Sequence, residues 1–557
     1  MEQQMQKAPR EIKVHTEKFS LKRGQIVIGF SLEKKKGHVK ALSLVQRNAR
    51  ERNAYPFLLT EKEKGDTVKY RGKLDAGQLK LEVAFWDVVA TVDPPQKGTV
   101  QEVYDAILGG LSAKLKLWLI LFPRWTKTPD GHLIYPFVNG ARQFTIQYRL
   151  YDRRYDSYLF LAKEYLALFC YFVLKPFWDR KKIWLICEKF AAMAQDNALY
   201  FFRYCMKELP AEEKKHIFYV IDKQAADYQA VKEYDKNVIQ FMSFRYMIYL
   251  CAAQYLISTD AIRHFYIWDS PNSVYKVLYQ ARKNLIFLQH GVMGFKQCHR
   301  TYHKSGGNRV ARFVVSSQPE RDIIEKYFEY DREDIIITGL ARWDVLENKA
   351  DEKEKQILVM PTWRLWLEYA SDELFLQSDY YQKYKAFLQD DKLHALLEQY
   401  DITLYFYIHP KFRAYIEKFA VGCPRILLIP FGERPLNELL MSCHMLITDY
   451  SSVAWDVYHQ EKPVIFYPFD LDVYEAMQGS YLDMEKDAFG DVVYTEEALL
   501  EAIRYYAGNG FSEKACFAAR RDVLLPLRDQ NNSRRIYEEI KKAQLPSKWR
   551  QRLKDGI

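Results

Sequence analysis

From residue 181 onward, short apolar runs alternate with helical stretches, and this alternation constrains the fold more than any other feature of the chain. A first series contains strands such as Ile217–Ile221 and Leu285–Gln289, and a second series begins at Gln356 after the charged connector Asp351–Lys355. Strands that alternate with helices predict a parallel sheet with helices on its faces. Two successive series therefore predict two α/β domains, with ligands bound at the carboxyl ends of the strands.

Residues 1–150 have a different pattern and predict a small β-rich domain. Short runs rich in β-branched and aromatic residues occur at Ile26–Phe30, Val88–Val92 and Gln143–Arg149. Gln78–Phe85 alternates polar and apolar residues, which predicts a strand with one solvated face. The apolar run Leu115–Phe122 fits either a buried strand or a short helix.

Residues 151–180 form an aromatic connector that favours helix. Its core, SYLFLAKEYLALFCYFVLKPFW, is broadly apolar, but Lys163, Glu164 and Lys175 argue against a membrane span. Two interpretations remain open, a helix packed inside the protein and a helix lying in the surface of a bilayer. The residues that the second interpretation inserts into lipid are Phe160, Leu168, Phe172 and Trp178.

The net charge of the chain narrows the class of partner that it can bind. The chain has 557 residues, with 82 Lys and Arg against 72 Asp and Glu, and the resulting net charge of +10 favours an anionic partner. No basic run is interleaved with aromatic residues, so nucleic acid is not expected. Basic clusters at 180–182 and 548–554 are candidates for contact with an anionic membrane surface.

The eight cysteines form no CxxC pair and the N-terminus has no apolar signal segment, which predicts reduced thiols in a cytoplasmic protein.

The strongest local signal is a strand that ends in Thr448-Asp449-Tyr450-Ser451-Ser452 and is followed at once by a helix. The first turn of a helix offers unpaired N–H groups and a partial positive charge, and the two serine hydroxyls add donors. The turn therefore suits a diphosphate, and Asp449 is placed to touch a ribose or a cation. The alternative is that Ser451 or Ser452 only caps the helix.

Two histidines also follow predicted strands. His409 ends the strand Ile402–Ile408 and is followed by Lys411, so it is placed to bind phosphate oxygens or to move a proton. His290 ends the strand Leu285–Gln289 and precedes Gly291, which suits a general base beside a tight loop, with Lys296 nearby. A purely structural role is the competing interpretation for each histidine.

Two arginines complete the set of strand-end residues. Arg364 follows the strand Gln356–Met360 in Pro361-Thr362-Trp363-Arg364, and Arg342 follows another strand in ITGLARWD. The guanidinium of Arg364 is fixed at the sheet edge, where it can offset the charge of a phosphate. Arg342 comes with Gly339 and Asp344 after its strand. A surface ion pair or a helix start explains either arginine taken alone.

Taken together, these segments resemble the CDP-glycerol glycerophosphotransferases, the family of teichoic-acid primases and polymerases. The agreement runs over roughly residues 180–540. The motifs that carry it are His290-Gly291, Gly339-Leu340-Ala341-Arg342-Trp343-Asp344, Met360-Pro361-Thr362-Trp363-Arg364, His409-Pro410 and Thr448-Asp449-Tyr450-Ser451-Ser452. The chain departs from the family pattern at Val292 and Met293 in the first motif and at Ala341 in the second.

The resemblance implies an α/β fold of GT-B type, with two Rossmann-like domains facing a cleft and an N-terminal β-rich domain. The expected domains are 1–150, 151–180, 181–350 for the acceptor and 351–557 for the nucleotide donor. The implied reaction moves glycerol phosphate, or a related alditol phosphate, from CDP-glycerol or CDP-ribitol to a lipid-linked polyol-phosphate acceptor and releases CMP. The implied location is the cytoplasmic face of the cell membrane, as a peripheral protein. No cofactor or metal is implied, and the oligomeric state is left open.

The expected residue roles follow from the same resemblance and from the chemistry of phosphoryl transfer. His290 is the expected general base, and His409 offsets charge on the leaving phosphate. The expected donor-binding residues are Arg364, Lys411, Thr448, Asp449, Ser451 and Ser452. The expected acceptor-binding residues are Glu188, Asp196, Asn197, Gly291 and Lys296. The alternative function is a GT-B glycosyltransferase that uses a nucleotide sugar.

Overall fold

The structure is a computed structural model that describes most of the chain in two compact units. The first unit is Met1–Phe169 with Tyr266–Ala281, and the second is Cys170–Phe265 with Arg282–Ile557. The described residues are 14–22, 24–47, 53–93, 104–122, 125–139, 143–267, 274–275, 278, 284–368, 370–430 and 432–543. The basic cluster predicted at 548–554 lies outside them.

The first unit contains two antiparallel sheets, as its strand-rich sequence predicts. A four-stranded sheet has the order β1-β2-β6-β5, and a seven-stranded sheet has the order β4-β3-β7-β11-β10-β9 with β8 beside β7. Alternate residues of the two sheets, such as Ile28 and Val88, are fully buried in one shared core. The strands are β1 His15–Lys22, β2 Gln25–Glu33, β3 His38–Gln46, β4 Ala54–Pro56, β5 Leu58–Lys64, β6 Thr67–Asp75, β7 Ala84–Asp93, β8 Tyr104–Ile107, β9 Thr126–Lys127, β10 His132–Val138 and β11 Phe144–Leu150.

Two sequence interpretations in this unit are resolved by the structure. The predicted strand Gln78–Phe85 is wrong over most of its length, because regular pairing begins only at Ala84 in β7. The ambiguous run near residue 115 is a helix, α1 Ala113–Leu121. Its start is fixed by Ser112, whose hydroxyl accepts a hydrogen bond from the backbone N–H of Leu115 at 3.2 Å.

The aromatic connector forms two helices, α2 Tyr158–Val173 and α3 Lys175–Arg180. Pro176 lies in the first turn of α3 and has no N–H to continue the hydrogen bonds of α2, so the two helices are separate. The predicted lipid-inserting face is wrong at two positions, since Phe160 and Leu168 are each 6% exposed and pack inside the protein. Phe172, also predicted to insert, is 54% exposed as expected, and a stripe at helical spacing faces outward beside it. Its members are Leu159, Leu166, Phe169 and Val173.

The second unit begins with a seven-stranded parallel sheet, as the first α/β series predicts. Its order is β14-β13-β12-β15-β16-β17-β18. The strands are β12 Trp184–Cys187, β13 Ile217–Ile221, β14 Val238–Gln240, β15 Tyr255–Ser258, β16 Leu285–Phe287, β17 Arg312–Val315 and β18 Ile335–Ile337. The helices are α4 Asn197–Glu208, α5 Ala211–Lys214, α6 Phe244–Ala252, α7 His299–Tyr302 and α8 Gln318–Phe328.

A second parallel sheet of six strands follows in the same unit, with the order β21-β20-β19-β22-β23-β24. The strands are β19 Lys355–Val359, β20 Ile402–Tyr407, β21 Ile426–Ile429, β22 Met445–Thr448, β23 Val464–Phe466 and β24 Asp491–Val492. The helices are α9 Asp372–Leu376, α10 Asp379–Gln389, α11 Asp391–Gln399, α12 Leu436–Ser442, α13 Val453–His459, α14 Leu471–Met477, α15 Met484–Asp487, α16 Glu496–Gly508, α17 Ala515–Ala518, α18 Arg521–Leu524 and α19 Asn532–Lys542. The two parallel sheets confirm the α/β class and nearly every predicted strand between residues 181 and 467.

Candidate active site

The chemistry-bearing motifs gather at the carboxyl ends of neighbouring strands. In the first parallel sheet, β12, β15 and β16 lie side by side, and His290 follows β16. In the second sheet β20, β19 and β22 lie side by side, and they lead into His409, Arg364 and Ser451, respectively. Because parallel strands present their carboxyl ends along one edge, motifs more than 40 residues apart in sequence become neighbours.

The loop that carries His290 is held by a buried carboxylate that the sequence did not mark as functional. Gln289 has a φ of 59°, an uncommon conformation for a residue with a side chain. Its side-chain amide donates to Glu320, whose carboxylate also accepts from the backbone N–H of Met293 at 2.7 Å. His290 is exposed, and its Nδ1 lies 3.4 Å from the carbonyl oxygen of Thr259. A hydrogen bond from Nδ1–H to that oxygen leaves the lone pair of Nε2 open for a base.

Gly291 brings the His290 loop directly against the serine turn of the second sheet. A Cβ atom at Gly291 would lie 2.3 Å from Oγ of Ser452, so any side chain there would displace the serine. Farther along the loop, the backbone N–H of Gln297 donates to the carbonyl of Gly479 at 2.8 Å, and that of Tyr481 donates to the carbonyl of Gly294 at 2.8 Å. The structure therefore joins two motifs that the sequence places 161 positions apart.

His409 lies in a cationic environment that keeps its ring neutral. Its Nδ1 accepts a hydrogen bond from the backbone N–H of Lys411 at 3.2 Å, which leaves the ring proton on Nε2. Burial, followed by the charges of Lys296, Lys189, Lys411 and His290, lowers the pKa of His409 to about 3. A neutral imidazole with Nε2–H is a hydrogen-bond donor, which suits a phosphate oxygen.

Two lysines share the indole of Trp363 beside this histidine. The ammonium of Lys411 lies 3.6 Å from the ring centroid and that of Lys296 lies 4.5 Å from it. Burial is the main cause that lowers the pKa of Lys296 to about 8. Lys296 was predicted on the acceptor side, but these contacts associate it with Lys411 and His409 instead. Trp363 was visible in the sequence motif, whereas Lys189 carried no sequence signal beyond its place after a strand.

Arg364 and Asp449 form a buried ion pair, which argues against the predicted direct contact with a donor. Both side chains are 0% exposed, and the guanidinium lies 2.8 Å from Asp449 and 2.7 Å from Asp470. Asp449 also accepts from the backbone N–H of Thr362 at 2.8 Å. Thr448 is likewise buried, and its hydroxyl donates to the carbonyl of Met360 at 2.7 Å. These groups tie the PTWR turn to the serine turn.

The hydroxyls of Ser451 and Ser452, in contrast, contribute little to capping the helix that follows them. Ser452 is the N-cap of the helix Val453–His459, and its side chain makes no capping hydrogen bond. The hydroxyl of Ser451 accepts from the backbone N–H of Val453 only at 3.5 Å, the long limit for such a bond. Both side chains are half-buried. The geometry therefore favours a ligand contact over the capping interpretation.

Most of the predicted acceptor residues are engaged inside the protein. The carboxylate of Glu188 accepts from the backbone N–H groups of Gln195, Asp196 and Leu199 at 2.8–3.0 Å, and burial raises the pKa of Glu188 to about 8. The side chain of Asn197 is fully buried and donates to the carbonyl of Gln289 at 2.8 Å. Only Asp196 of these three is half-exposed.

A buried arginine links the two parallel sheets of this unit. Arg342 donates to Asp456, on the helix after the serine turn, at 2.8 and 2.9 Å, and to Asp196 at 2.9 Å. Trp343 donates from Nε1 to the same Asp456 at 2.7 Å. Arg342 therefore has a positioning role, and Asp456 is a residue that the sequence reasoning missed. Among the described residues, no three His, Cys, Asp or Glu side chains gather as a metal site would require.

Comparison with known proteins agrees with the motifs. A family model described as CDP-Glycerol:Poly(glycerophosphate) glycerophosphotransferase matches residues 168–542, more than half of the chain. The minor teichoic acid biosynthesis protein GgaB of Bacillus subtilis (strain 168) is 29% identical over 395 residues, which cover 68% of this chain and 42% of that protein. The teichoic acid ribitol-phosphate polymerase TarK of Staphylococcus aureus (strain NCTC 8325 / PS 47) is 26% identical, covering 43% of this chain and 49% of that protein.

Among solved structures, that of the wall teichoic acid polymerase TagF superposes with a TM-score of 0.49 at 18% identity, covering 69% of this chain and 98% of that chain. The chain spans less than half the length of each of the two curated relatives, 42% and 49%. The family model covers both parallel sheets and all five motifs on which the resemblance was based. The prediction from those motifs is confirmed: the chain belongs to the CDP-glycerol:poly(glycerophosphate) glycerophosphotransferase family.

Proposed function

We propose that this chain is a GT-B-type transferase that moves glycerol phosphate, or ribitol phosphate, from a CDP-alditol to a hydroxyl of a lipid-linked polyol-phosphate acceptor. The observation that carries the proposal is the convergence of His290 with the neutral ring of His409 and the ammonium groups of Lys296 and Lys411, at the strand ends of two parallel sheets. Such a cluster suits a diphosphate, and an exposed imidazole suits the activation of a hydroxyl.

In the proposed step, an acceptor hydroxyl attacks the phosphorus that bears the alditol. A new oxygen–phosphorus bond forms, and the bond from that phosphorus to the bridging oxygen of the diphosphate breaks. CMP leaves with that oxygen, and the hydroxyl proton passes to Nε2 of His290. Oxidation states do not change, so no redox partner is needed. Histidine suits the proton transfer because its ordinary pKa lies near neutrality.

The donor diphosphate is assigned to groups that keep at least one hydrogen free to donate; the ammonium of Lys411 uses one of its three on Glu368 at 2.5 Å. Nε2–H of His409, the ammonium groups of Lys296 and Lys411, and the hydroxyls of Ser451 and Ser452 are the proposed contacts. Positive charge on the lysines offsets the charge that develops on the leaving CMP. Arg364, Thr448 and Asp449 are assigned to positioning this set, because their polar groups are already paired.

The acceptor is assigned to the side of the first parallel sheet. Gly291 follows His290 in the chain, and Asp196 lies near His290 in space. Glu188 and Asn197 are buried and hold the surrounding loops through hydrogen bonds to the backbone. Asp196 also accepts a hydrogen bond from Arg342 at 2.9 Å, which fixes the position of its carboxylate. This carboxylate is the proposed contact for the acceptor hydroxyl.

The experiment that tests the function compares donors on one purified protein. CDP-glycerol, CDP-ribitol and a UDP-sugar are each incubated with a short lipid-linked acceptor, and CMP release and product mass are followed. We expect CMP release and a mass gain of one alditol phosphate with one of the two CDP-alditols. Transfer of a sugar from the UDP-sugar, with neither CDP-alditol active, would favour the glycosyltransferase alternative.

Donor binding is expected to weaken as the pH rises through about 8, because the pKa of free Lys296 is lowered to about 8. A bound diphosphate favours the protonated amine of Lys296 and raises its pKa, so the complex must take up a proton when it forms above about pH 8. Below about pH 8 the amine is already charged, and donor binding is not accompanied by proton uptake. Calorimetry of CDP-glycerol binding in buffers of different ionisation enthalpy measures the uptake. Lys296→Met should abolish the inflection, whereas the same change at the exposed Lys207 should leave it in place.

We also propose a peripheral position on the cytoplasmic face of the membrane, through the outward stripe of the helix Tyr158–Val173. Among the described residues no helix is both long and apolar enough to cross a bilayer. The stripe exposes 55% of Leu166 and 64% of Phe169, and such side chains suit insertion at the headgroup level. Arg180, Lys181 and Lys182 follow in the sequence and suit anionic lipids.

The variant Leu166→Ser/Phe169→Ser is expected to bind vesicles containing phosphatidylglycerol about tenfold more weakly, because two apolar side chains no longer enter the interface. The matched control is Leu374→Ser/Val523→Ser, which changes exposed apolar residues elsewhere in the chain. Flotation of both variants with vesicles, at low and high salt, gives the comparison. Equal flotation of the two variants would remove this helix from the membrane contact.

A further inference from the structure

One face of the four-stranded sheet in the first unit carries a concentration of positive charge that the proposed transfer step does not use. The strands β1, β2, β6 and β5 present alternate residues to two sides, and one side, with Ile26, Ile28 and Tyr70, is buried in the core. Besides Lys64, opposite Thr67 at the end of the edge strand, the other side holds five cations among the described side chains. We name this set the basic face: Lys18, Lys62, Lys69, Arg71 and Lys73.

The register of the strands places these cations in three adjacent rows. Arg71 pairs with Gly29, which pairs in turn with Lys18, and Lys69 pairs with Lys62 on the next strand. Lys73 forms the third row, opposite Leu58. Rows on one face are about 7 Å apart along a strand and neighbouring strands are about 4.8 Å apart, so the five charges occupy a compact area.

Gly29 leaves the centre of the basic face without a side chain. A Cβ atom built there would lie 3.4 Å from Cβ of Lys18, so Lys18 stands beside this opening on one strand and Arg71 on the other. The opening gives an extended ligand access to the backbone between two cations. Glycine inside a strand commonly marks such a close approach.

On these strands most acidic residues lie away from the cations, whereas an ordinary solvated surface mixes the two signs of charge. Glu61 and Glu63 alternate with Lys62 on β5, and they pair away from the face with His38 and Lys34. Glu17 is the acidic residue within the rows, and it lies 3.4 Å from Lys69. Glu33 and Asp75 stand at the two ends of the face, where Lys36 and the backbone N–H of Gly77 engage them.

Four of the five cations have no acidic partner among the described residues. Lys18, Lys62, Arg71 and Lys73 are all exposed and make no ion pair there. Leu58, at 71% exposure on the edge strand, is the large apolar side chain that this face exposes, and among the described residues of the face no Phe, Tyr or Trp accompanies it. A membrane contact would use apolar or aromatic insertion beside the charge, so the composition favours a soluble polyanion over a lipid surface.

We propose that the basic face binds a linear polyol-phosphate polymer, a chain with one negative phosphodiester per repeat. The proposal rests on the proposed function, because such a polymer is the class of acceptor that the transferase would extend. Regularly spaced cations on a flat sheet match regularly spaced charges along a flexible chain, and the binding is electrostatic. The face would hold polymer that has already been made, so long acceptors would be retained better than short ones.

The test measures binding of a synthetic fluorescent poly(glycerol phosphate) to the full chain by anisotropy. The variant Lys62→Gln/Arg71→Gln/Lys73→Gln removes three charges from the basic face. The matched control, Lys114→Gln/Lys116→Gln/Lys207→Gln, removes three exposed lysines elsewhere. We expect the first variant to bind at least tenfold more weakly and the control to stay within twofold of the wild type. The slope of log affinity against log salt should fall in magnitude by about two for the first variant only.

A charge-preserving variant, Lys62→Arg/Lys73→Arg, is expected to bind like the wild type, and thermal unfolding of every variant shows whether the fold is intact. The proposal would be overturned if the two triple variants bound the polymer with equal affinity. It would also be overturned if the variant of the basic face kept its affinity for the polymer but lost binding to vesicles containing phosphatidylglycerol. Transfer to an acceptor of a single repeat should be the same in all variants. A wild type that binds polymer but releases no CMP would instead refute the proposed function, so the two failures are distinguishable.

Discussion

His290→Ala is expected to reduce alditol-phosphate transfer by about 10²–10⁴-fold while CDP-glycerol still binds, because the substitution removes the proposed general base and leaves His409, Lys296 and Lys411 in place. His290 is exposed, and its Nδ1 is oriented toward the carbonyl of Thr259 at 3.4 Å. The measurement is a pair of assays on one preparation, CMP release for turnover and calorimetry for donor affinity. Turnover should fall and affinity should stay within about threefold.

The control for this prediction is His303→Ala, which removes a histidine in the same unit that bonds with Ser305 outside the site. That variant should keep full turnover. His409→Ala provides the contrast, since loss of a donor-side contact should weaken donor affinity as well as turnover. If His290→Ala retains activity within severalfold of the wild type, the imidazole is not the base.

Arg364→Met is expected to lower the free energy of unfolding by about 3–5 kcal/mol, because it leaves two buried carboxylates without their counter-charge. The guanidinium has no exposed surface, and it holds both Asp449 and Asp470. The removal of one partner of a buried pair costs far more than the removal of the whole pair. Chemical denaturation monitored by fluorescence measures the loss.

The comparison variant is Arg504→Met, an exposed arginine on the helix Glu496–Gly508, which should change stability by less than about 0.5 kcal/mol. Donor affinity of any folded Arg364→Met protein separates positioning from contact. A positioning role predicts that unfolding and affinity change together as the turn loosens. Unaltered stability with a large loss of donor affinity would restore the direct phosphate contact that the sequence suggested.

The motifs were found from the sequence because strand ends are local features. The runs before His290, His409 and the serine turn are apolar and short, and each stops at polar or glycine residues that the sheet edge requires. Helix starts were found for the same reason. Errors occurred where local pattern and packing diverge, as at Gln78–Phe85, where the alternation suits a strand but no partner strand pairs before Ala84.

The sequence could not predict which side chains of the aromatic connector are packed and which face outward. The stretch from Tyr158 is apolar on almost every face, so hydrophobicity alone could not tell the packed stripe from the exposed one. Phe160 and Leu168 pack against the protein, whereas Leu166 and Phe169 face outward. That choice is made by the neighbouring elements that cover one side of the helix.

The sequence by itself determined the fold class, the order of the strand-end motifs and the family, because hydrophobic periodicity and turn residues are written locally along the chain. Only the tertiary structure decided which charged groups remain available to a ligand. Arg364 and Asp449 are equally polar in the sequence, but they neutralise each other in the core, with Asp470 as a third partner. Lys296 and Lys411 instead meet over Trp363, where Lys411 also pairs with Glu368 and Lys296 makes no ion pair among the described residues. The physical reason is that a buried charge must be paired, and its partner is set by packing between residues distant in sequence.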